Sequence, residues 1–216
     1  MISQSTLLAS DKKENHVIPV LCLADPRAGC VHLQTYFGFQ PHGNGVMAFG
    51  DARILVVAVG DTPDGFIPLS FDHVAFNVAS VDDCASKIAD QGGVLDVRFT
   101  PDGPRGISEF WTNGVRFVFF QGPEGCAFEF CAKNDPDTDR RDGHSHFAIR
   151  TKEWQSAKLH LLGLGATPVA SHTLAGQPQP VHVEFMQRGD TVFEIFDEAP
   201  IDALADGVGW VGLVDC

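Results

Sequence analysis

Two histidines and two glutamates stand inside segments that are otherwise apolar. They are His73, Glu129, His146 and Glu194. Burying an unpaired carboxylate costs several kcal/mol, so each glutamate must be paired, protonated, bound to a metal or exposed to water. Imidazole and carboxylate groups together bind Zn, Fe, Ni or Mn. The four residues therefore indicate either a metal site or two His–Glu hydrogen-bonded pairs that serve structure.

Each of these residues lies in a segment with the alternating pattern of a β-strand. The segments are FDHVAFNV (71–78), CAFEFC (126–131), SHFAIRT (145–151) and TVFEIFD (191–197). In the first of them, Val74 and Phe76 share one face, while His73 and Asn77 share the other. Because a helix is predicted after each histidine-bearing strand, we expect the apolar face to pack under the helices. The opposite face, which carries the histidine, would then line a concave surface.

The strands belong to a pattern that occurs three times, in the order β-α-β-β-β. In the third copy, a strand (145–151) and a helix (152–166) precede strands at 167–174, 181–189 and 191–197. In the second copy, a strand (71–78) and a helix (81–93) precede strands at 94–100, 114–120 and 126–131. The first copy has a strand (17–23) and a helix (25–39) but only two further strands, at 46–50 and 53–59. The pattern predicts an α+β fold of repeated modules.

This repeat divides the chain into five parts. They are a degenerate first module (1–65), a second module (66–132), a charged linker (133–143), a third module (144–198) and a C-terminal tail (199–216). The first module has Ile18 and Val56 where the others have histidine and glutamate, so we expect it to bind no metal. His16 lies two residues before Ile18 but has no partner glutamate.

Composition restricts the classes of partner. The net charge is −13, from 28 acidic and 15 basic residues, and no Lys/Arg cluster is present to bind nucleic acid or an anionic membrane. No apolar run approaches the roughly 18–20 residues of a transmembrane helix, and the first residues lack the pattern of a secretion signal. We therefore expect a soluble, cytoplasmic protein that acts on a small molecule.

The paired modules, each with a first-strand histidine and a last-strand glutamate, resemble the vicinal oxygen chelate superfamily. That superfamily includes glyoxalase I, the extradiol dioxygenases and the bleomycin and fosfomycin resistance proteins. The resemblance covers about residues 16–198 and is carried by DHVAFNV with GCAFEF, and by SHFAIR with TVFEIF. It implies modules that curl into a U-shaped mixed sheet around a cleft with one divalent metal. The implied ligands are His73, Glu129, His146 and Glu194, and the first module would cover an edge or the cleft, or join two subunits in a homodimer.

The number of ligands separates the activities that the resemblance implies. Two histidines and two glutamates resemble glyoxalase I, an isomerase or lyase in which Glu129 or Glu194 would move a proton, with Glu129 the favoured base. A triad of His73, His146 and Glu194 would instead resemble an extradiol dioxygenase that uses Fe or Mn. A metal-free protein that binds or sequesters a small molecule is the third alternative.

Further residues are candidates for contacts around this site. Asn77 and Arg150 share the strand faces of the two histidines, and the planar guanidinium of Arg150 is suited to an anionic group of the substrate. An arginine paired at the surface is the alternative for that residue. His144 and His182 are candidates to orient a metal ligand, and Trp111 is expected in the core.

Overall fold

A computed structural model describes residues 17–135, 141–175, 179–201 and 204–215. The helices of these residues are α1 (Pro26–Phe37), α2 (Val81–Asp90) and α3 (Trp154–Gly163), with a short 3-10 turn at Pro123–Gly125. The first seven strands are β1 (Val17–Leu23), β2 (Gln40–Pro41), β3 (Val46–Phe49), β4 (Ala52–Ala58), β5 (Phe66–Phe71), β6 (His73–Asn77) and β7 (Arg105–Ile107). They are followed by β8 (Val115–Gln121), β9 (Ala127–Lys133), β10 (Gly143–Arg150), β11 (Thr167–Leu174), β12 (Val181–Arg188), β13 (Thr191–Phe196) and β14 (Gly209–Asp215).

The strands form two mixed sheets. The smaller has the order β2-β3-β4-β1-β14-β5, and the larger has the order β11-β12-β13-β10-β6-β9-β8-β7. In the larger sheet, β6 and β10 pair antiparallel, β9 runs parallel to β6, and β13 runs parallel to β10. The first strands of the second and third modules therefore lie side by side at its centre. This sheet is strongly curled, and the α+β class and the U-shaped mixed sheet expected from the sequence are confirmed.

The apolar faces of the central strands pack under the helices, as the alternation predicts. α2 begins after Ser80, whose hydroxyl accepts a hydrogen bond from the backbone N–H of Asp83. Its buried residues, Val81 and Ile88, belong to the same core cluster as Phe76 of β6. The opposite face of the sheet carries the histidines and lines the concave side.

The strand predicted at 94–100 is not formed. Leu95 makes a single isolated bridge to Phe120, and the chain then turns at Asp96. The buried Asp96 carboxylate accepts hydrogen bonds from the backbone and side chain of Arg98, while its carbonyl accepts one from Thr100. Such local bonds from an aspartate compete with strand pairing. The short strand β7, which was not predicted, pairs with β8 in its place.

The C-terminal tail completes the smaller sheet. β14 pairs antiparallel with β1 and with β5, so a strand from the end of the chain stands beside the first module. β5 was not predicted as a strand. The linker contains the end of β9 at Lys133 and the start of β10 at Gly143, while its residues 136–140, like His16, lie outside the described residues. No helix in the described ranges is both long enough and apolar enough to span a membrane.

Candidate metal centre

Strand order brings the four predicted residues together at the centre of the larger sheet. Glu129 of β9 lies beside Ala75 of β6, and Glu194 of β13 lies beside Ala148 of β10. These positions share the sheet face of His73 and His146, because residues two apart in a strand point the same way. The residues His73, Glu129 and Glu194 are buried, and the side chain of His146 is only 13% exposed.

The imidazoles and carboxylates meet at short distances. His73 Nε2 lies 2.9 Å from Glu129 Oε2, and His146 Nε2 lies 3.4 Å from the same oxygen. Of the two imidazoles, Glu194 lies within ion-pair distance only of that of His146, with 2.8 Å between Glu194 Oε2 and His146 Nε2. His73, Glu129 and His146 each offer one ligand atom, and these atoms lie within 4.8 Å of one another. Glu129 is thus the carboxylate shared by both imidazoles.

The donor atoms of this group fit a divalent metal ion. The Nε2 atoms of His73 and His146 are buried, and neither makes a hydrogen bond of acceptable geometry despite the nearby carboxylates. Buried polar groups in proteins are nearly always hydrogen-bonded. Two imidazole nitrogens and a carboxylate oxygen that face one another in this way are the ligand types of Zn, Fe, Ni and Mn.

The other ring nitrogen of each histidine is held by a neighbouring side chain. His73 Nδ1 lies 2.9 Å from Asp72 Oδ2, and His146 Nδ1 lies 3.1 Å from Ser145 Oγ. Ser145 Oγ in turn accepts a hydrogen bond from the thiol of Cys131. A hydrogen bond donated by Nδ1–H fixes the tautomer in which Nε2 carries a lone pair, as a metal ligand requires.

The electrostatics of the site favour a bound positive charge. Burial lowers the pKa of His146, but Glu194 and Glu129 outweigh burial and raise that pKa to about 10. Burial likewise opposes protonation of His73, yet Asp72 and Glu129 raise its pKa. Burial raises the pKa of Glu129, but the two histidines lower it to about 2. In the metal-free protein a proton supplies this charge, and a metal ion competes for the same nitrogens.

A cavity of about 540 Å³ opens above the four residues. Its wall on the side of the second module is apolar and includes Phe99, Phe117 and Phe119. The wall on the side of the third module includes Phe185 and other apolar residues of β11 and β12. The arrangement provides a metal-type donor set in a cavity that combines apolar walls with charged and polar side chains, which is typical of a small-molecule site.

The two predicted substrate-binding residues line this cavity but are engaged by other groups. Asn77 donates a hydrogen bond to the carbonyl of His144 at 2.9 Å. Arg150 forms ion pairs with Glu198 and, at 3.4 Å, with Asp72, and its guanidinium lies 4.7 Å from the ring centre of Phe196. Arg150 therefore helps to hold Asp72, the residue that contacts His73.

Three other candidates differ in their position relative to the cavity. Trp111, expected in the core, lines the cavity and packs edge-to-face on Phe185 at 4.6 Å. His144 also lines the cavity, whereas His182 contacts Glu184 and Trp154 away from it. The alternation of β12 explains the position of His182, because Val181 and Phe185, which lie an odd number of residues away, line the cavity.

Two contributors to the site, Asp72 and Ser145, were missed. Each directly precedes a histidine in the sequence, and adjacent residues of a strand point to opposite faces, so alternation alone excludes such contacts. Asp72 escapes this rule because β6 begins only at His73. Ser145 escapes it because the pairing of β10 with β6 is irregular between His144 and His146.

Comparisons with known proteins agree at the level of the fold. No protein-family model matches the chain, and no curated protein matches it. The crystal structure of glyoxalase I from Zea mays is similar with a TM-score of 0.59 and 16% identity, over 93% of this chain and 73% of that one. A structure named "putative dioxygenase" from Bacillus subtilis subsp. subtilis str. 168 gives a TM-score of 0.55 and 12% identity, over 89% of this chain and 66% of that one. The chain therefore has the fold of the vicinal oxygen chelate superfamily.

Proposed function

We propose that this protein is a metal-dependent enzyme of the glyoxalase I type, an isomerase or lyase that acts on a small oxygenated substrate. The observation that carries the proposal is the meeting of His73, Glu129 and His146 at the base of the cavity, with both Nε2 atoms buried and without a hydrogen bond. A divalent metal ion held there would act as a Lewis acid toward two neighbouring oxygen atoms of the substrate.

The geometry favours different roles for the two glutamates from those predicted from the sequence, where Glu129 was the favoured base. Glu129 approaches both imidazoles and belongs to the group of three ligand atoms, so we assign it to the metal. Glu194 contacts only His146 and lines the cavity, so we assign it the role of base. Because its side chain is only 4% exposed, a proton that it accepts is shielded from exchange with water.

Glu194 would accept a proton from a carbon next to a carbonyl group and return it to the neighbouring carbon. The C–H bond breaks as the carboxylate O–H bond forms, and transfer of that proton to the former carbonyl carbon restores the carboxylate. The proton of the substrate's neighbouring hydroxyl group moves to the former carbonyl oxygen, so that the carbonyl and hydroxyl groups exchange places. The substrate is thereby isomerised without any oxidant or reductant. Phe99, Phe117 and Phe119 on the cavity wall exclude water during the transfer.

An extradiol-type dioxygenase is the second candidate. The group of ligand atoms contains two histidines and a single carboxylate, which is the donor set of the non-haem iron oxygenases. In this case Glu129, rather than the predicted Glu194, would complete the triad. The two candidates differ in their need for O₂ and in whether Glu194 is essential.

Metal binding is the first test. Protein purified without chelators is analysed for metals, and the metal-free protein is titrated calorimetrically with Zn, Ni, Mn and Fe(II). We expect about one divalent ion per chain, lost in the double variant His73→Ala/His146→Ala. The matched control is His182→Ala, since His182 also faces a buried glutamate but lies outside the cavity. Absence of metal and of metal uptake would contradict both enzymes and leave a metal-free binding protein.

The reaction is tested with hydroxyacetone, which carries two neighbouring oxygens and a C–H bond next to a carbonyl. Conversion of hydroxyacetone to its isomer lactaldehyde, followed by NMR without O₂, should require the metal. Glu194→Gln should keep the metal and lose roughly 10²–10⁴-fold in the rate of isomerisation, the range for a removed general base. An undiminished rate in Glu194→Gln would contradict the assigned base, and activity on catechols only in the presence of O₂ would favour the dioxygenase.

A further inference from the structure

We infer that the substrate carries an anionic group at the end of an apolar body, and that Lys133, seated on Trp111, binds this group. The inference rests on the proposed function, because it takes the metal end of the cavity as the place where the paired oxygens bind. It adds a second anchoring point to the site and defines the chemical class of the substrate.

Lys133 lies on β9, the same strand as Glu129, which we assign to the metal. Glu129, Cys131 and Lys133 alternate along β9, and all three line the cavity. At about 3.3 Å per residue, the Cα atoms of Glu129 and Lys133 are roughly 13 Å apart. The strand therefore places a metal ligand near one end of the cavity wall and a cation near the other.

The walls between these ends suit a flat apolar body. Phe99 stacks on Phe119 with 4.3 Å between ring centres, and Phe117 packs edge-to-face on Phe119. Across the cavity, Phe185 belongs to an apolar cluster with Leu174 and other residues of the third module. A substrate without an apolar portion would leave both surfaces uncovered.

Among the cations that line the cavity, Lys133 is half-buried and without a carboxylate partner among the described residues, whereas Arg105 is exposed and lies on the ring of Phe117. The ammonium group of Lys133 lies 4.5 Å from the ring centre of Trp111, and no carboxylate of the described residues lies within ion-pair distance of it. Arg150 is paired with Asp72 and Glu198, and Arg98 is paired with Asp96. Lys133 is half-buried, and burial lowers its pKa because the ammonium group loses part of its hydration. An anionic ligand would compensate for that lost hydration.

Trp111 is held in place as a platform for this lysine. Its backbone has φ of 58°, in the left-handed region that bulky residues rarely adopt. Phe110 and Phe185 pack against its ring, which offsets the strain and fixes its orientation. A tryptophan face is also the best aromatic partner for a cation.

The charge of the rest of the protein makes this lysine important for an anionic substrate. The chain has a net charge of −13, and the exposed Asp190 also lines the cavity. Water screens the charge of an exposed carboxylate more than that of a half-buried ammonium group. Lys133 is therefore expected to dominate the local attraction.

The test uses three probes that chelate metals through two neighbouring oxygens. They are phenylacetohydroxamic acid, its para-carboxymethyl derivative and the methyl ester of that derivative. Calorimetric titration of the metal-loaded protein should show the carboxylate binding about tenfold or more tightly than its ester, since hydrogen bonds to charged groups are the strong ones. Lys133→Gln should abolish this preference without changing the affinity for the ester, and Lys133→Arg should restore it.

Lys87→Gln is the matched control, because Lys87 is an exposed lysine of α2 that does not line the cavity. This variant should retain the full preference for the carboxylate. Equal affinities of the wild type for acid and ester, or a preference that persists in Lys133→Gln, would overturn the inference. Failure of all three probes to bind would instead contradict the chelating metal site of the proposed function, and with it the inference.

Discussion

Two buried glutamates on neighbouring strands of the third module have opposite surroundings. Glu194 of β13 contacts His146 at 2.8 Å on the concave face of the sheet. Glu184 of β12 contacts His182 at 3.3 Å and Lys158 of α3 at 2.7 Å. Both carboxylates are buried, both are flanked by apolar residues, and both have a histidine partner.

The difference shows that a glutamate inside an apolar strand is not by itself evidence of a functional site. β12 and β13 pair so that Phe185 lies opposite Glu194, which turns Glu184 to the other face of the sheet. There the ammonium group of Lys158 compensates its charge, as structural ion pairs do. On the concave face, the only ion-pair partner of Glu194 among the described residues is the imidazole of His146. The cationic partner of Glu184, rather than burial, therefore distinguishes the two carboxylates.

The largest effect on metal affinity is expected from a Glu→Gln change on the concave face of the larger sheet, compared with the same change on its other face. Glu129→Gln should weaken divalent metal binding by more than roughly 100-fold, because even the residues that only orient ligands contribute 10–100-fold. Glu184→Gln, the same chemical change on the other face, should leave metal affinity unchanged. Calorimetric titration of both metal-free variants provides the measurement. A similar loss in the two variants would show that the effect is structural and would remove Glu129 from the ligand set.

The sequence predicted the strand faces of the site because alternation and the repeat act together. His73 and His146 occupy matching positions of two modules, and the order of strands then places their glutamates on the same face. The repeat also distinguished Glu194 from Glu184, which alternation alone could not do. The division of roles between Glu129 and Glu194 depends on distances of a few ångströms, which no pattern in one sequence encodes.

Several parts of the fold depend on contacts that a pattern in the sequence does not show. β14 becomes a strand because β1 and β5 lie on either side of it, and β1 is almost the whole chain away in sequence. The turn at Asp96 follows from side-chain hydrogen bonds that interrupt an otherwise strand-like segment. Trp111 lines the cavity because the third module supplies Phe185 as its packing partner.

A second comparison concerns the residues that hold the two imidazoles. Asp72→Asn replaces the carboxylate that faces His73 Nδ1 with an amide of the same shape. We expect metal affinity to fall by about 10–100-fold, the usual effect of losing such a partner. The free energy of unfolding, measured in urea, serves as the control for general damage. Unchanged metal affinity would show that Asp72 serves Arg150 rather than His73.

The structural glutamate should be sensitive to the loss of its lysine. Lys158→Met keeps the apolar stem but leaves the Glu184 carboxylate with only His182 at ion-pair distance. We expect a loss of about 2 kcal/mol in the free energy of unfolding, within the range for a buried polar group that loses its partner. Urea unfolding measures the loss, and Lys158→Met/Glu184→Met should recover part of it. A double variant as unstable as the single one would contradict the pairing.

The smallest expected effect is at the hydroxyl that holds His146. Ser145 Oγ lies 3.1 Å from His146 Nδ1, where the second module uses a carboxylate for the equivalent contact. A hydrogen bond to a neutral hydroxyl is about half as strong as one to a charged group. We therefore expect Ser145→Ala to lower metal affinity by about tenfold or less. The ratio of the Asp72→Asn and Ser145→Ala effects, obtained by titration with one metal at one pH, measures how unequally the two modules hold their histidines. A larger loss in Ser145→Ala than in Asp72→Asn would reverse this order and identify His146 as the more tightly oriented ligand.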